Sequence, residues 1–260
     1  MKNNSLVNGL STYNLKIIGI ILMFIDHFHE MFSPFGVPDW LDWFGRPVAT
    51  IFFFVSVIGF SHTHSKRTYM MRLYVCMVLM ALLDLFLSLT VHFDKIGLIN
   101  NIFRDLFVGT LFMAGIDQFK SLKSNQKFKH FLTGLLLCLV PFIFTILAAV
   151  ISASSLPNMV ISTILAFLPA IGTAENGFLV LLVPLLYLAK DNRKIQCLII
   201  ALAAIIVYFA LPGDTQWLMI FAVIPIWFYN GQKGRGIKYF FYIFYPAHIA
   251  GLYLLAALLY

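Results

Sequence analysis

Ten apolar stretches separated by short polar breaks order this chain: 15–32, 47–61, 69–91, 98–116, 131–152, 157–172, 176–190, 195–211, 215–229 and 237–259. A hydrocarbon layer about 30 Å thick is crossed by a helix of about 20 apolar residues, and most of these stretches approach that length. The 157–172 stretch differs. It is short, opens at Pro157, contains Pro169 and ends at Gly172, so it reads as a re-entrant segment that enters and leaves on the same side. The pattern predicts an all-α integral membrane protein: a single bundle and a single domain over residues 1–260, with about nine or ten transmembrane helices.

Composition excludes the soluble alternative. The 260 residues are 61% hydrophobic and 11% charged, with mean hydropathy +0.89, whereas soluble domains carry about 25% charged residues. The net charge of +7 would fit a nucleic-acid partner, but no basic face with exposed aromatics accompanies it, and none is expected. Lys and Arg fall instead in the breaks at 64–72, 120–129, 190–194 and 233–238, while those at 33–45, 153–156 and 212–214 have none. Short cytoplasmic loops are the basic ones, and Lys2 and Lys16 put the N-terminus on that side too. Between the outside break near 154 and the inside break at 190 only an odd number of crossings fits, so either 157–172 or 176–190 is re-entrant or one basic break is misplaced; a re-entrant 157–172 gives nine crossings in all. Cys76, Cys138 and Cys197 lie inside apolar runs without a CxxC pair and read as small buried residues. No small-residue cleavage site follows Leu15–Ile25, so the first helix is expected to stay.

Ionisable side chains inside such spans are costly and mark candidate chemistry. The first span carries Asp26, His27, His29 and Glu30. At 1.5 Å per residue from Leu15, His27 lies roughly 18 Å deep. Asp26, His29 and Glu30 share one helix face and His27 is turned by about 100° from Asp26. A carboxylate beside an imidazole suits proton transfer; a polar cluster marking the helix end is the plainer reading. His27-x-His29 points its rings to nearly opposite sides and His62-x-His64 has no adjacent carboxylate or thiol, so no metal is expected. Arg46, in Phe44-Gly45-Arg46-Pro47, could meet a developing oxyanion or simply snorkel to headgroups. Asp84, Arg104 and Asp105 are also intramembrane; Asp84 and Arg104 read as a buried ion pair joining two helices or as part of the chemistry. The segment Asn230-Gly231-Gln232-Lys233-Gly234-Arg235-Gly236 reads as a phosphate cradle ahead of a helix or as a flexible basic loop. Tyr245-Pro246-Ala247-His248 kinks the last span and sets an imidazole in the bilayer.

These residues resemble the TraX family. The likeness lies in Leu15-Lys16-Ile17-Ile18 with Met23-Phe24-Ile25-Asp26-His27, then Gly45-Arg46-Pro47 running into Phe52-Phe53-Phe54, Gly59-Phe60, His62-Thr63, Tyr69 and Arg72-Leu73. It returns in Tyr229-Asn230-Gly231, Gly234 and Phe241-Tyr242-Ile243-Phe244-Tyr245-Pro246-Ala247-His248. The middle, about 92–215, matches only as hydrophobic spans. His29 and Glu30 stand outside the motif; Ala49 stands where the family tends to have Phe-Pro, and Val57-Ile58 where a small or acidic residue is common. The family is similar to the acyltransferase-three group, and its named activity is acetylation of the N-terminus of conjugative pilin.

The resemblance implies a membrane acetyltransferase of the bacterial cytoplasmic membrane with acetyl-CoA as donor. Its implied donor site is His62, Arg72, Asn230 and Gly231, to which the basic loop reading adds Lys233 and Arg235. Its implied catalytic set is His27 as base or acyl carrier, Asp26 orienting it and Arg46 on the oxyanion, with Tyr245 and His248 elsewhere in the pocket. The acceptor would be the terminal amine of a membrane-held protein, pilin-like or a lipoprotein, or a cell-envelope sugar hydroxyl; membrane lipids are the other partner. The alternative is a proton-coupled transporter, for which intramembrane Asp, His and Arg and a broken helix serve equally well.

Overall fold

The computed structural model describes residues 9–91, 93, 95–123, 126–236 and 239–260. Lys2 and residues 124–125 and 237–238 of the basic breaks lie outside them. The protein is an all-α membrane bundle. Five helical stretches are long and apolar enough to cross a bilayer: Asp39–His62, Lys66–Thr90, Lys127–Ser152, Arg193–Ala210 and Phe240–Leu259. The first joins a 3-10 turn, Asp39–Phe44, to α2 (Arg46–His62), with Pro47 in the first turn where its missing N–H costs nothing. The others are α3 (Lys66–Thr90), α5 (Lys127–Ser152), α8 (Arg193–Ala210) and α10 (Phe240–Leu259). Two more, α1 (Thr12–Phe32) and α4 (Ile102–Lys120), are as long but carry ionisable residues inward. Two short apolar stretches, Gly177–Leu188 (ending in α7, Leu182–Leu188) and Gln216–Trp227 (ending in α9, Val223–Trp227), stretch their reach with 3-10 turns. The remaining helix, α6 (Asn158–Ala166), has nine residues, about 13 Å of helix and less than half a bilayer. It opens at Pro157, and its length fits the re-entrant expectation; among the described residues five stretches are long and apolar enough to cross, fewer than the nine or ten expected.

One end of the bundle is basic and stitched together. Lys66 Nζ meets Asp117 at 2.5 Å and the Tyr187 hydroxyl donates to the same carboxylate at 2.7 Å. Arg193 donates to the carbonyls of Ile226 and Tyr229, both at 3.0 Å. The starts of α3 and α8 and the ends of α4, α7 and α9 therefore lie at this end. At the opposite end carboxylates dominate: Glu30, Asp39, Asp42 and Asp214, with Thr215 donating to Asp42 at 3.2 Å.

One span departs from the expected pattern. The 98–116 stretch is not a full crossing: residues 95–101 have no helix, and α4 starts at Ile102, capped by the Asn101 side chain, which accepts from Arg104 N–H at 3.2 Å. Asn101 Nδ2 also donates to the Met77 carbonyl at 2.9 Å, and Met77 sits about 16 Å along α3 from Lys66. The N-terminus of α4 thus lies at mid-depth, and the non-helical segment before it ends in the buried pair Asn100 and Asn101. Irregular backbone at that depth survives because protein groups satisfy it. Below that point α4 packs closely on α5, where Gly115 faces the Gly134 carbonyl and Cys138 Sγ; small residues let backbones approach where lipid gives no hydrophobic drive between helices. The outer faces of α5 and α8, with Ile146, Val150, Ile206 and Phe209 exposed, are left to lipid. All three cysteines are free.

Candidate active site

Two cavities enter the bundle from opposite ends. The inner one, of about 500 Å³, opens at the basic end past Thr12, Lys16, His62, Gly231 and Lys233, and its walls are Phe52, Val55, Tyr69, Phe103 and Phe241. The outer one, of about 880 Å³, opens at the acidic end and holds Asp26, His27, Glu30, Asp42, Arg46, Asn100, Glu175 and Gln216. Met23, Ile102 and Tyr245 line both. These three side chains form the septum between them.

His27 sits at that septum, 2% exposed. Its Nδ1 lies 2.7 Å from Nε2 of His248, and Nδ1 of His248 lies 2.8 Å from the Phe244 carbonyl. The rings stack with centroids 5.0 Å apart. The chain of bonds has one direction. A carbonyl only accepts, so His248 carries its proton on Nδ1 and offers a lone pair on Nε2. His27 must then carry its proton on Nδ1, which leaves Nε2 as a free base. The sequence reading gave Asp26 that orienting task, and the structure gives it to His248. The reason is the helical turn: with His27 toward α10, Asp26 faces the Asp39–Phe44 turn, where a Cβ added to Gly45 would fall on its carboxylate.

The clamp beneath the septum is built from α4. Asp105 accepts from the Glu175 and Asn176 N–H groups at 2.9 and 3.0 Å and from Asn176 Nδ2 at 2.6 Å. Arg104 donates to the carbonyls of Thr173 and Leu165 at 2.8 and 3.1 Å. Both charged groups of the first turn thus hold the returning limb of the re-entrant segment. The expected Asp84–Arg104 ion pair does not form: no such pair lies within 4.0 Å among the described residues, and Asp84 Oδ1 and Arg104 Nε are each buried without a hydrogen-bond partner. The carbonyls freed where α6 ends compete for the guanidinium and win. The product of the clamp is a placed carboxylate, Glu175, whose Oε2 accepts from Asn101 N–H at 2.7 Å and from the Tyr245 hydroxyl at 2.9 Å. Tyr245 in turn accepts from Ile102 N–H at 3.2 Å and sets its ring edge on His27, centroids 6.0 Å apart.

The remaining candidates divide. His27, Tyr245 and His248 come together. Arg46 shares the outer cavity with Asp26 but is paired with Asp42 and reaches Gln216 Oε1 at 3.4 Å, so its guanidinium is already engaged. His62, Gly231 and Lys233 line the inner mouth; Arg72, Arg235 and Asn230 do not. Asn230 shapes the turn, accepting from Gln232 N–H at 2.9 Å. The glycine-rich loop is tied to the start of the first helix: its Gln232 and Lys233 carbonyls accept the Thr12 and Tyr13 N–H groups at 2.8 and 3.1 Å. Sequence reasoning missed Lys16 at the inner mouth and Glu175 at the septum. A carboxylate beside Asn176, between two apolar stretches, was the signal for the second.

An all-helical bundle with irregular backbone at mid-depth and a polar centre reached from both faces is a polytopic membrane protein built around an internal site. The chain matches the family described as TraX protein over residues 11–256, and it belongs to that family. The match runs through the middle third, where the sequence alone offered only hydrophobic spans. No curated protein and no solved structure matches the chain.

Proposed function

We propose that this protein is a membrane-embedded acetyltransferase of the bacterial cytoplasmic membrane. It takes an acetyl group from acetyl-CoA at the basic, cytoplasmic end and delivers it to an acceptor entering from the other end. The acceptor is the N-terminal amine of a membrane-held protein, pilin-like or a lipoprotein, or a cell-envelope sugar hydroxyl. One observation carries the reading: two cavities of opposite access share a three-residue septum beside an imidazole whose hydrogen-bond chain leaves its Nε2 basic.

The residues present suit the donor. Lys16, Lys233 and His62 at the inner mouth would face its phosphates, and the apolar walls would take its pantetheine arm toward Met23 and Tyr245. The donor supplies the activated acetyl group. His27 Nε2 takes the acceptor's proton as the new bond to the acetyl carbon forms and the carbon–sulfur bond breaks, and returns it to the departing sulfur. His248 holds the reactive tautomer and stabilises the cation formed on His27. Met23, Ile102 and Tyr245 keep outer water from the donor.

The test uses purified full-length chain in vesicles, acetyl-CoA, and a synthetic single-span peptide with a free N-terminus, read by peptide mass. His27→Ala should lose at least about 10²-fold in rate. Full activity in His27→Gln would sink the assignment. The transporter reading uses the same two cavities and predicts flux without any acetylated product.

A further inference from the structure

Acetyl transfer as described leaves one group at the septum without a task, Glu175. Its backbone is clamped by Asp105 and one of its carboxylate oxygens by Asn101 and Tyr245. The other oxygen, Oε1, has no hydrogen-bond partner among the described residues, and the side chain is exposed to the outer cavity that also holds His27. The titratable groups around it are Asp105 on α4, Tyr245 on α10, and Glu30 and His27 on α1, with Arg104 acting on Asp105 and Asp84 on Tyr245 behind them. Irregular segments brought to mid-depth in membrane proteins place ligand-binding groups there. This one delivers a fixed carboxylate with a free oxygen.

An amine arriving from water is an ammonium ion, with a pKa of about 8 for an α-amino group, and an ammonium has no lone pair to attack with. It must lose one proton before the attack and a second after the carbon–nitrogen bond forms. His27 Nε2 accounts for one. We propose that Glu175 is the second base: its Oε1 receives the acceptor's ammonium group and takes the first proton, and His27 takes the second. The proposal rests on the acetyltransferase reading and selects an amine over a hydroxyl acceptor. The carboxylate becomes a carboxylic acid and the ammonium an amine. The amine nitrogen bonds to the acetyl carbon, the carbon–sulfur bond breaks and its electron pair leaves on sulfur. The surplus nitrogen proton passes to His27 and on to the thiolate, while Glu175 releases its proton to the outer cavity. The sum is amide, thiol and one proton from ammonium and thioester.

Glu175→Gln keeps an amide oxygen able to accept from Asn101 N–H and the Tyr245 hydroxyl, so the clamp and the melting temperature should persist. The assay is the one above, with acetyl-CoA and the free-amine peptide, and the readout is the rate ratio of variant to wild type across pH. At about pH 6.5 only about 3% of an α-amine of pKa about 8 is free, so the variant should fall furthest below wild type there, by up to about 30-fold. The ratio should approach one near pH 9, as the free amine fraction approaches unity. A pH-independent ratio overturns the proposal, whether it equals one or shows equal loss throughout, since a merely structural carboxylate gives no alkaline recovery. Absence of acetylated peptide with the wild type at every pH would overturn the acetyltransferase reading itself, and this proposal with it.

Discussion

Replacing His248 by Phe removes the acceptor for His27 Nδ1–H while keeping an aromatic ring against Phe244, which stacks on His248, and Phe24, which is tilted to it. The 2.7 Å bond between the imidazoles is the only one that fixes the His27 tautomer among the described residues. A buried N–H left without an acceptor costs about 1–3 kcal/mol. In the variant His27 therefore prefers to place its proton on Nε2, toward the polar cavity, with its lone pair on Nδ1 against the new ring. Each turnover must recover the reactive tautomer at about that cost, which lowers the rate by about 5- to 150-fold at 1.36 kcal/mol per decade. His248→Gln restores an acceptor oxygen and should regain most of the loss. The measurement is peptide acetylation at matched membrane levels, with melting temperature recorded for each variant. Wild-type rates in His248→Phe, or a Gln variant as slow as the Phe variant while both melt normally, would refute the directional chain from Phe244 through His248 to His27.

Gly45→Ala drives a methyl group into the Asp26 carboxylate and should destabilise by about 1–3 kcal/mol in thermal melting; adding Asp26→Ala should recover part of that. Asp105→Ala strips three donors of their acceptor and should cost at least about 3 kcal/mol, seen as poor accumulation in membranes, whereas Asp105→Asn, which keeps an oxygen, should be milder. Lys16→Gln combined with Lys233→Gln should weaken acetyl-CoA binding about tenfold by titration calorimetry and flatten its dependence on salt. Arg235→Gln, outside the inner cavity, should leave that affinity unchanged.

The spans were legible because lipid demands long apolar runs, and α6 was legible because Pro157 and Pro169 leave too few residues to cross. His27 stood out for the same reason, as an imidazole deep in a helix. Its partner did not. Helical periodicity tells which residues share a face, but His248 is 221 positions away, and nothing in the spacing names the helix that α1 packs against. Arg104 was misassigned because composition weighs charge against charge, whereas the carbonyls exposed at the end of a broken helix are acceptors with no letter of their own. The loop at 230–236 has acceptors of the same kind: its glycines adopt positive φ at Gly231 and Gly234, and its Gln232 and Lys233 carbonyls hold α1, a contact that the spacing of its residues does not announce.

The thinness of the septum has an electrical consequence. Where aqueous cavities reach in from both faces, they carry each side's potential inward, and the membrane voltage falls across what remains between them: Met23, Ile102 and Tyr245. Moving one elementary charge across a full drop of 100 mV is worth about 2.3 kcal/mol. In the proposed reaction the acetyl group is neutral and would cross that field without cost. The protons exchanged around it would not be neutral, and any displaced along the field would make turnover sensitive to the energised state of the membrane, with a bias set by the net direction of the proposed proton movement between Glu175, His27 and the donor sulfur.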